Sequence, residues 1–407
     1  MSGEPTPIRL TDAQRFDWLR LIRSENVGPR TFRALLNTCG GAHAALRALP
    51  GLARRGGGRA PRIASVNEIE QEFEAARRIG ARFVALGEAD YPPLLSQIDS
   101  APPIIALRGG ADIFKRPAVA IVGSRNASAV GLAFTERLAR GIGGAGYVIV
   151  SGLARGVDQR AHVASLETGA VAVLAGGLAK PYPPEAAPLM EKIVAAGAVI
   201  SEMPIEWAPR GRDFPRRNRL VSGLAFGTVV VEAARASGSL ITARFAAEQG
   251  RVVFAVPGSP LDPRAEGTND LIRNGATICT RPEDVLADIE PMRDGRGFSG
   301  LREDPGGPSE PLWSELELAG VNGEATPRVE SNGKFDETPA LAAANGEEAT
   351  RLRIVALLGP SPTPIDDLAR AAEASIREVR IVLLELQLAG RLEYSGGNRV
   401  ALIDASR

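Results

Sequence analysis

The sequence predicts an α/β protein built on a doubly wound parallel sheet, with a helical region before it and a winged helix after it. Three observations carry this reading. Apolar strands alternate with amphipathic helical stretches from residue 118 to about residue 289. The strands end in turns rich in glycine, and the stretch AVAIVGSRN, residues 118–126, leads from a strand buried on both faces straight into a helix. Near the C-terminus, three helical stretches precede a hairpin pattern, the order of a winged helix.

Taken in order, TDAQRFDWLRLIRS, NVGPRTFRALLNTCGG and HAALRAL predict short helices over residues 11–50. Val27-Gly28-Pro29 has the form of a helix-hairpin-helix turn, which serves either a DNA phosphate or a plain helical turn. A Gly/Arg-rich break, a helix over about 66–79 and a short strand, RFVALG, follow. The proline-rich stretch DYPPLLSQIDSAPPIIALRGG reads as a strap laid against the sheet, without regular elements. Strands are expected at AVAIVG, YVIVSG, AVAVLAG, AVISE, TVVVEA and VVFAV, so their C-terminal turns share one edge, where ligands of such folds sit. Residues 291–350, in which Gly, Pro, Ser and Asn are frequent and acidic residues outnumber basic ones, read as a flexible linker. The expected domains are therefore an N-terminal helical domain (1–85), a sheet domain (86–290), an acidic linker (291–350) and a winged helix (351–407).

Composition narrows the class. The 407 residues exceed one ordinary core, 44% of them are hydrophobic, and 48 basic side chains balance 48 acidic ones, so only local charge runs point to a partner. Cys39 and Cys279 form neither a disulfide framework nor a metal site. MSGEPTPIRL has no signal-peptide core and no apolar run reaches the ~18 residues of a membrane span. A cytoplasmic protein without membrane contact is expected.

Four stretches carry candidate chemistry. The turn Gly123-Ser124-Arg125 aims backbone N–H groups and a helix start at one small volume, which suits a phosphate, and Arg125 adds a permanent charge. In APRGRDFPRRNRL, Arg210, Arg212, Arg216, Arg217 and Arg219 surround Phe214, giving charges for phosphates and a ring for a base. In the stretch 235–242, Ser239 can cap the next helix while Gly238 admits a ligand to the backbone. In SGLARGVDQRAH, Asp158 and His162 share a helix face; structural hydrogen bonding outweighs a metal or proton-transfer role, because His43 is the only other histidine. Glu232 ends its strand where a catalytic acid could act. The dinucleotide and P-loop glycine spacings are both missing, so no cofactor and no metal are expected.

AIVGSR, SGLARGVDQRAH, FPRRNRLVSGLA, VVVEAARASGSLITARFAAEQGR, VFAVPG and EGTNDLIRNGA together resemble the DNA-processing protein A (DprA or Smf) family of bacteria, over about residues 91–276. The resemblance implies an extended Rossmann-like domain with a mostly parallel sheet, a helix-hairpin-helix or SAM-like N-terminal domain, and a homodimer. It implies a protein that binds single-stranded DNA and loads RecA during natural transformation, without enzymatic turnover. The contacts it implies are Gly123, Ser124 and Arg125, surrounded by Ser151, Gly152, Phe214, Arg216, Arg217, Asn218, Arg219, Ser237, Gly238 and Ser239. AGGLAKPYPPEAAPL departs from the family pattern, and no contact is assigned to that loop; the acidic linker is unusual and could compete with DNA. One rival reading is a nucleotide phosphoribohydrolase using Glu232, against which the arginine run and the missing Pro-Gly-Gly-x-Gly-Thr signature argue. The other is an adaptor whose winged helix recruits a partner.

Overall fold

The structure is a computed structural model and describes residues 9–293, 338–395 and 398–403. In chain order the first elements are α1 (Asp12–Ile22), α2 (Pro29–Cys39), α3 (Ala42–Arg55), α4 (Val66–Arg78), β1 (Arg82–Ala85), α5 (Pro93–Ser96) and β2 (Ile104–Gly109). Next come β3 (Ala118–Gly123), α6 (Ala129–Gly144), β4 (Val148–Ser151), α7 (Val157–Ser165), β5 (Ala170–Val173), α8 (Ala187–Ala196) and β6 (Ala198–Ser201). The sheet is completed through α9 (Asp213–Gly223), β7 (Gly227–Val231), α10 (Gly238–Glu248), β8 (Val252–Ala255), α11 (Glu266–Arg273), β9 (Thr277–Ile278) and α12 (Pro282–Arg293). Last are α13 (Thr338–Leu357), β10 (Thr363–Pro364), α14 (Ile365–Ala372), α15 (Ile376–Leu388), β11 (Leu392–Ser395) and β12 (Arg399–Leu402).

These elements form two compact units, one holding the described residues from 70 to 293, the other residues 10–69 with the described residues from 338 onward. The first unit is organised by a nine-stranded sheet in the order β1-β2-β6-β5-β4-β3-β7-β8-β9. From β6 to β9 all pairings are parallel. Only β2 is reversed, pairing antiparallel with both β1 and β6. The runs AVAIV, VIV, AVAV and TVVV are buried on both faces because helices cover both sides. Val119, Ile121, Leu138, Ile142, Tyr147 and Phe254 form the core of the layer between sheet and helices. Strand order reverses at β3, whose neighbours are β4 and β7, so the C-terminal ends of β3 and β7 flank the switch point where such sheets bind ligands.

Three expectations change. The proline-rich stretch is not a strap: its residues 104–109 are β2, a full strand of the sheet. β1 pairs with β2, so RFVALG belongs to the sheet and the helical domain ends earlier than residue 85. Of the expected linker, residues 294–337 lie outside the described residues, while residues 338–350 are helical, within α13.

In the second unit, α1 opens with a capping box between Thr11 and Gln14, and α2 with Pro29 after the N-cap Gly28. Trp18 meets Phe32 edge-to-face, ring centroids 5.0 Å apart. The C-terminal residues form the expected winged helix: α13, α14 and α15, then the β11–β12 hairpin with β10 on its edge. The glycine pair of the hairpin tip lies outside the described residues. Its core is Ile354, Leu368, Val379, Val382, Leu383 and Leu386. The C-terminal half of α15 is enclosed on its other side by the N-terminal helices. Glu385 there is 3% exposed, accepts from Arg55 Nε at 2.6 Å and pairs with Arg351 Nε at 3.3 Å. Asn26 Nδ2 donates to the Leu388 carbonyl at 3.0 Å and Arg391 to that of Gly56 at 3.2 Å. The two ends of the chain thus build one unit, and the buried half of α15 is not a free groove-reading surface.

Candidate functional site

At the switch point lies a cavity of about 810 Å³. Its floor is the end of β3. Gly123 is required there, since a Cβ would fall 2.2 Å from the Val231 carbonyl oxygen of β7. Ser124 Oγ accepts from Asn126 N at 3.1 Å and tightens the turn into α6. Ser128 caps α6, its Oγ accepting from Gly131 N at 2.9 Å. The carboxylate of Glu232, at the end of β7, accepts from Ser128 N at 2.8 Å and from the Ser128 hydroxyl. Both oxygens are thereby engaged in fastening β7 to the start of α6, and Glu232 does not line the cavity. The carboxylate that the phosphoribohydrolase reading would use is therefore placed at the start of α6 and not on the cavity wall.

The start of α10 lies on the wall. Ser237, not Ser239, is the N-cap: its Oγ accepts from Ser239 N at 3.3 Å and lies 2.7 Å from Ser239 Oγ. Asn218 Nδ2 donates to the Gly238 carbonyl at 3.1 Å and ties α9 to this turn.

Of the arginine run, Arg210 and Arg212 precede α9 while Arg216, Arg217 and Arg219 lie within it. Asp213 begins α9, accepting from Trp207 Nε1 at 2.9 Å and from Arg210 N at 2.8 Å, and the helix then separates the arginines by face. Arg217 turns to the cavity and is buried, donating to the Val173 carbonyl at 2.6 Å. Arg216 and Arg219, three apart, both face Glu202 at the end of β6; Arg216 Nε is 3.1 Å from it and Arg219 binds its other oxygen. Arg219 is 7% exposed and also donates to the Ser100 carbonyl. The expected phosphate contact by Arg219 is corrected on this ground: its guanidinium is spent inside the protein. Arg216 is likewise paired and off the wall. Ser151 is buried, its hydroxyl donating to the Ile121 carbonyl at 2.6 Å, so it joins β4 to β3 without reaching the cavity.

Asp158 lines the cavity beside Arg217 and accepts from Gly152 N at 3.1 Å and Ala154 N at 3.3 Å. Burial raises its pKa, against the pull of Arg217. Burial also lowers Arg217, to about 10, with Asp158 opposing and Arg125 reinforcing, so the guanidinium remains charged at neutral pH. His162 is driven to about 3 by burial first and the Arg217 charge second, and is a neutral core residue. His162 is thus packed beneath the site, while Asp158 shapes the Gly152 turn and sets a carboxylate in the cavity wall.

The outer part of the cavity is aromatic. Arg125 Cζ stands 5.2 Å from the ring centroid of Phe214, and Tyr182 meets Phe214 edge-to-face at 5.3 Å and 71°. Of the residues singled out in the sequence, the wall gathers Gly123, Ser124, Arg125, Gly152, Asp158 and Phe214, and with them Arg217, Asn218, Ser237, Gly238 and Ser239. Tyr182 was missed; a ring between prolines on a strand-ending loop of the ligand edge was the available signal.

A doubly wound sheet whose switch point opens into a cavity walled by the start of α10, two arginines, Asp158 and an aromatic pair defines an α/β protein with a candidate ligand pocket at its switch point. Residues 82–290 match the protein family described as DNA recombination-mediator protein A, residues 12–75 the DprA-like N-terminal HHH domain and residues 338–398 the DprA winged helix domain. Protein Smf of Synechocystis sp. is 32% identical over 81% of this chain and 82% of its own, and Protein Smf of Escherichia coli 36% identical over 77% and 75%. The X-ray structure of DNA processing protein A from Streptococcus pneumoniae superposes with a TM-score of 0.57 at 31% identity, covering 69% of this chain and 99% of that one. The chain belongs to the DNA-processing protein A (DprA/Smf) family, and its role is that of a DNA-processing protein of the recombination-mediator class. Among the described residues, no helix is long and apolar enough to cross a membrane.

Proposed function

We propose that the cavity holds backbone phosphates of single-stranded DNA, and that the chain, as a cytoplasmic homodimer, protects incoming strands and loads RecA recombinase onto them in natural transformation. The observation that carries this reading is the convergence of Arg125, Arg217, the Gly123-Ser124-Arg125 turn and the start of α10 on one cavity. In the proposal the N–H groups of the Gly123-Ser124-Arg125 turn and of Gly238 donate to phosphate oxygens, the arginines neutralise them, and Phe214 supports a base. Such contacts read no sequence, so binding is sequence-tolerant and weakens steeply with salt. Two cavities in a dimer add avidity on one long strand. Duplex DNA binds less well, because its bases are already stacked and withheld. The test is competition of an unlabelled duplex and an unlabelled single strand of equal charge against a labelled oligothymidylate, followed by the rate of RecA filament growth with and without the protein. Preference for the single strand and faster filament growth support the reading; equal competition by duplex contradicts it.

A further inference from the structure

Phosphate contacts leave one feature of the cavity unused. Tyr182 lines it and is 49% exposed as a residue, although an exposed aromatic side chain is costly to leave in water. The ring is nonetheless held in place. It packs edge-to-face on Phe214 at 5.3 Å, and its backbone is fixed between Pro181 and Pro183. Phe214 for its part has Arg125 over its ring at 5.2 Å, so part of its stacking surface is already occupied. Arg125, Phe214 and Tyr182 therefore form a series that runs from the phosphate turn outward and ends in an open, pre-positioned ring. We infer that Tyr182 is the stacking platform for a base of the bound strand, its neighbouring phosphate lying at the Gly123-Ser124-Arg125 turn. This deepens the single-strand reading and rests on it. The function of Phe214 changes accordingly: it orders Arg125 on one side and Tyr182 on the other.

The test compares two labelled strands with the same number of phosphates, an oligothymidylate and an abasic oligomer, using the full chain and fluorescence anisotropy. Wild type is expected to bind the base-bearing strand about tenfold more tightly than the abasic one, the scale of one base stacked on an aromatic ring. Tyr182→Ala is expected to abolish that preference, and Tyr182→Phe, which restores the ring without the hydroxyl, to restore it. If Tyr182→Ala keeps the full preference, or weakens both strands by the same factor, the platform assignment is overturned while the phosphate reading survives. If wild type binds neither strand, the single-strand reading itself falls and the inference falls with it.

Discussion

The guanidinium of Arg217 lies directly against the backbone of Gly152: a Cβ at Gly152 would fall 1.8 Å from Arg217 Nη1. The last turn of β4 is glycine because an arginine from α9 crosses it to reach the Val173 carbonyl of β5. A buried cation is thereby set into the wall of the cavity, with the Asp158 carboxylate nearby as partial compensation.

Gly152→Ala is expected to push this guanidinium from its seat. The overpacked wall should cost about 1–3 kcal/mol of stability, and single-strand affinity should fall about tenfold, an arginine–phosphate contact being worth roughly 1.5–3 kcal/mol. Thermal unfolding and anisotropy check both; unchanged affinity would mean that Arg217 takes no part in binding.

Glu202→Ala should act on the fold instead. It strands Arg219, which is 7% exposed, and breaking such a buried pair costs about 3–5 kcal/mol. Urea unfolding should show the loss, while folded Arg219→Ala protein still binds DNA. A stable Arg219→Ala variant that has lost DNA would place Arg219 at the phosphates after all.

His162 gives stability a pH dependence of definite sign. Its imidazole stays neutral in the folded protein down to about 3, whereas in the unfolded chain it takes a proton near ~6.5. Between these values the unfolded state binds more protons, so stability falls on acidification, by roughly 2 kcal/mol between about pH 7 and about pH 5. Asp158, with its pKa raised, contributes in the opposite sense, losing stability as pH rises through its folded value. The comparison with His162→Gln isolates the histidine: the variant should have the flatter profile, measured by denaturant unfolding at each pH. Parallel profiles would contradict the neutral buried imidazole.

Glu385 links the two ends of the chain. Glu385→Ala leaves Arg351 without its buried partner, while Arg55, whose side chain is 60% exposed, is rescued by water. A loss of about 2 kcal/mol is expected, below the full cost of a buried pair for that reason. Differential scanning calorimetry of the full chain should show a lower melting temperature. No change would mean that apolar packing around α15 carries the association alone.

The sheet was legible where the chemistry was local. Continuous apolar runs identify β3 to β8, and the switch-point edge follows from their alternation with helices. β2 was hidden because Pro102 and Pro103 stand just before it, and β9 because it is only two residues long. The arginines were visible but their fates were not: α9 turns Arg217 to the cavity and gives Arg216 and Arg219 to Glu202, a partner 14 and 17 residues away. The joining of Arg55 to Glu385 across 330 residues leaves no local trace at all. Tyr182 shows the same limit within the site, since only the folded loop brings its ring to Phe214.

The central claim is that a phosphate track begins at Arg125. The most direct measurement is anisotropy of a labelled oligothymidylate with wild type and Arg125→Ala across a salt series. Wild type is expected to bind with a steep negative slope of log affinity against log salt, and Arg125→Ala to lose most of the affinity with a shallower slope. Wild type that ignores the strand at low salt, or an Arg125→Ala variant with undiminished affinity and slope, would contradict it.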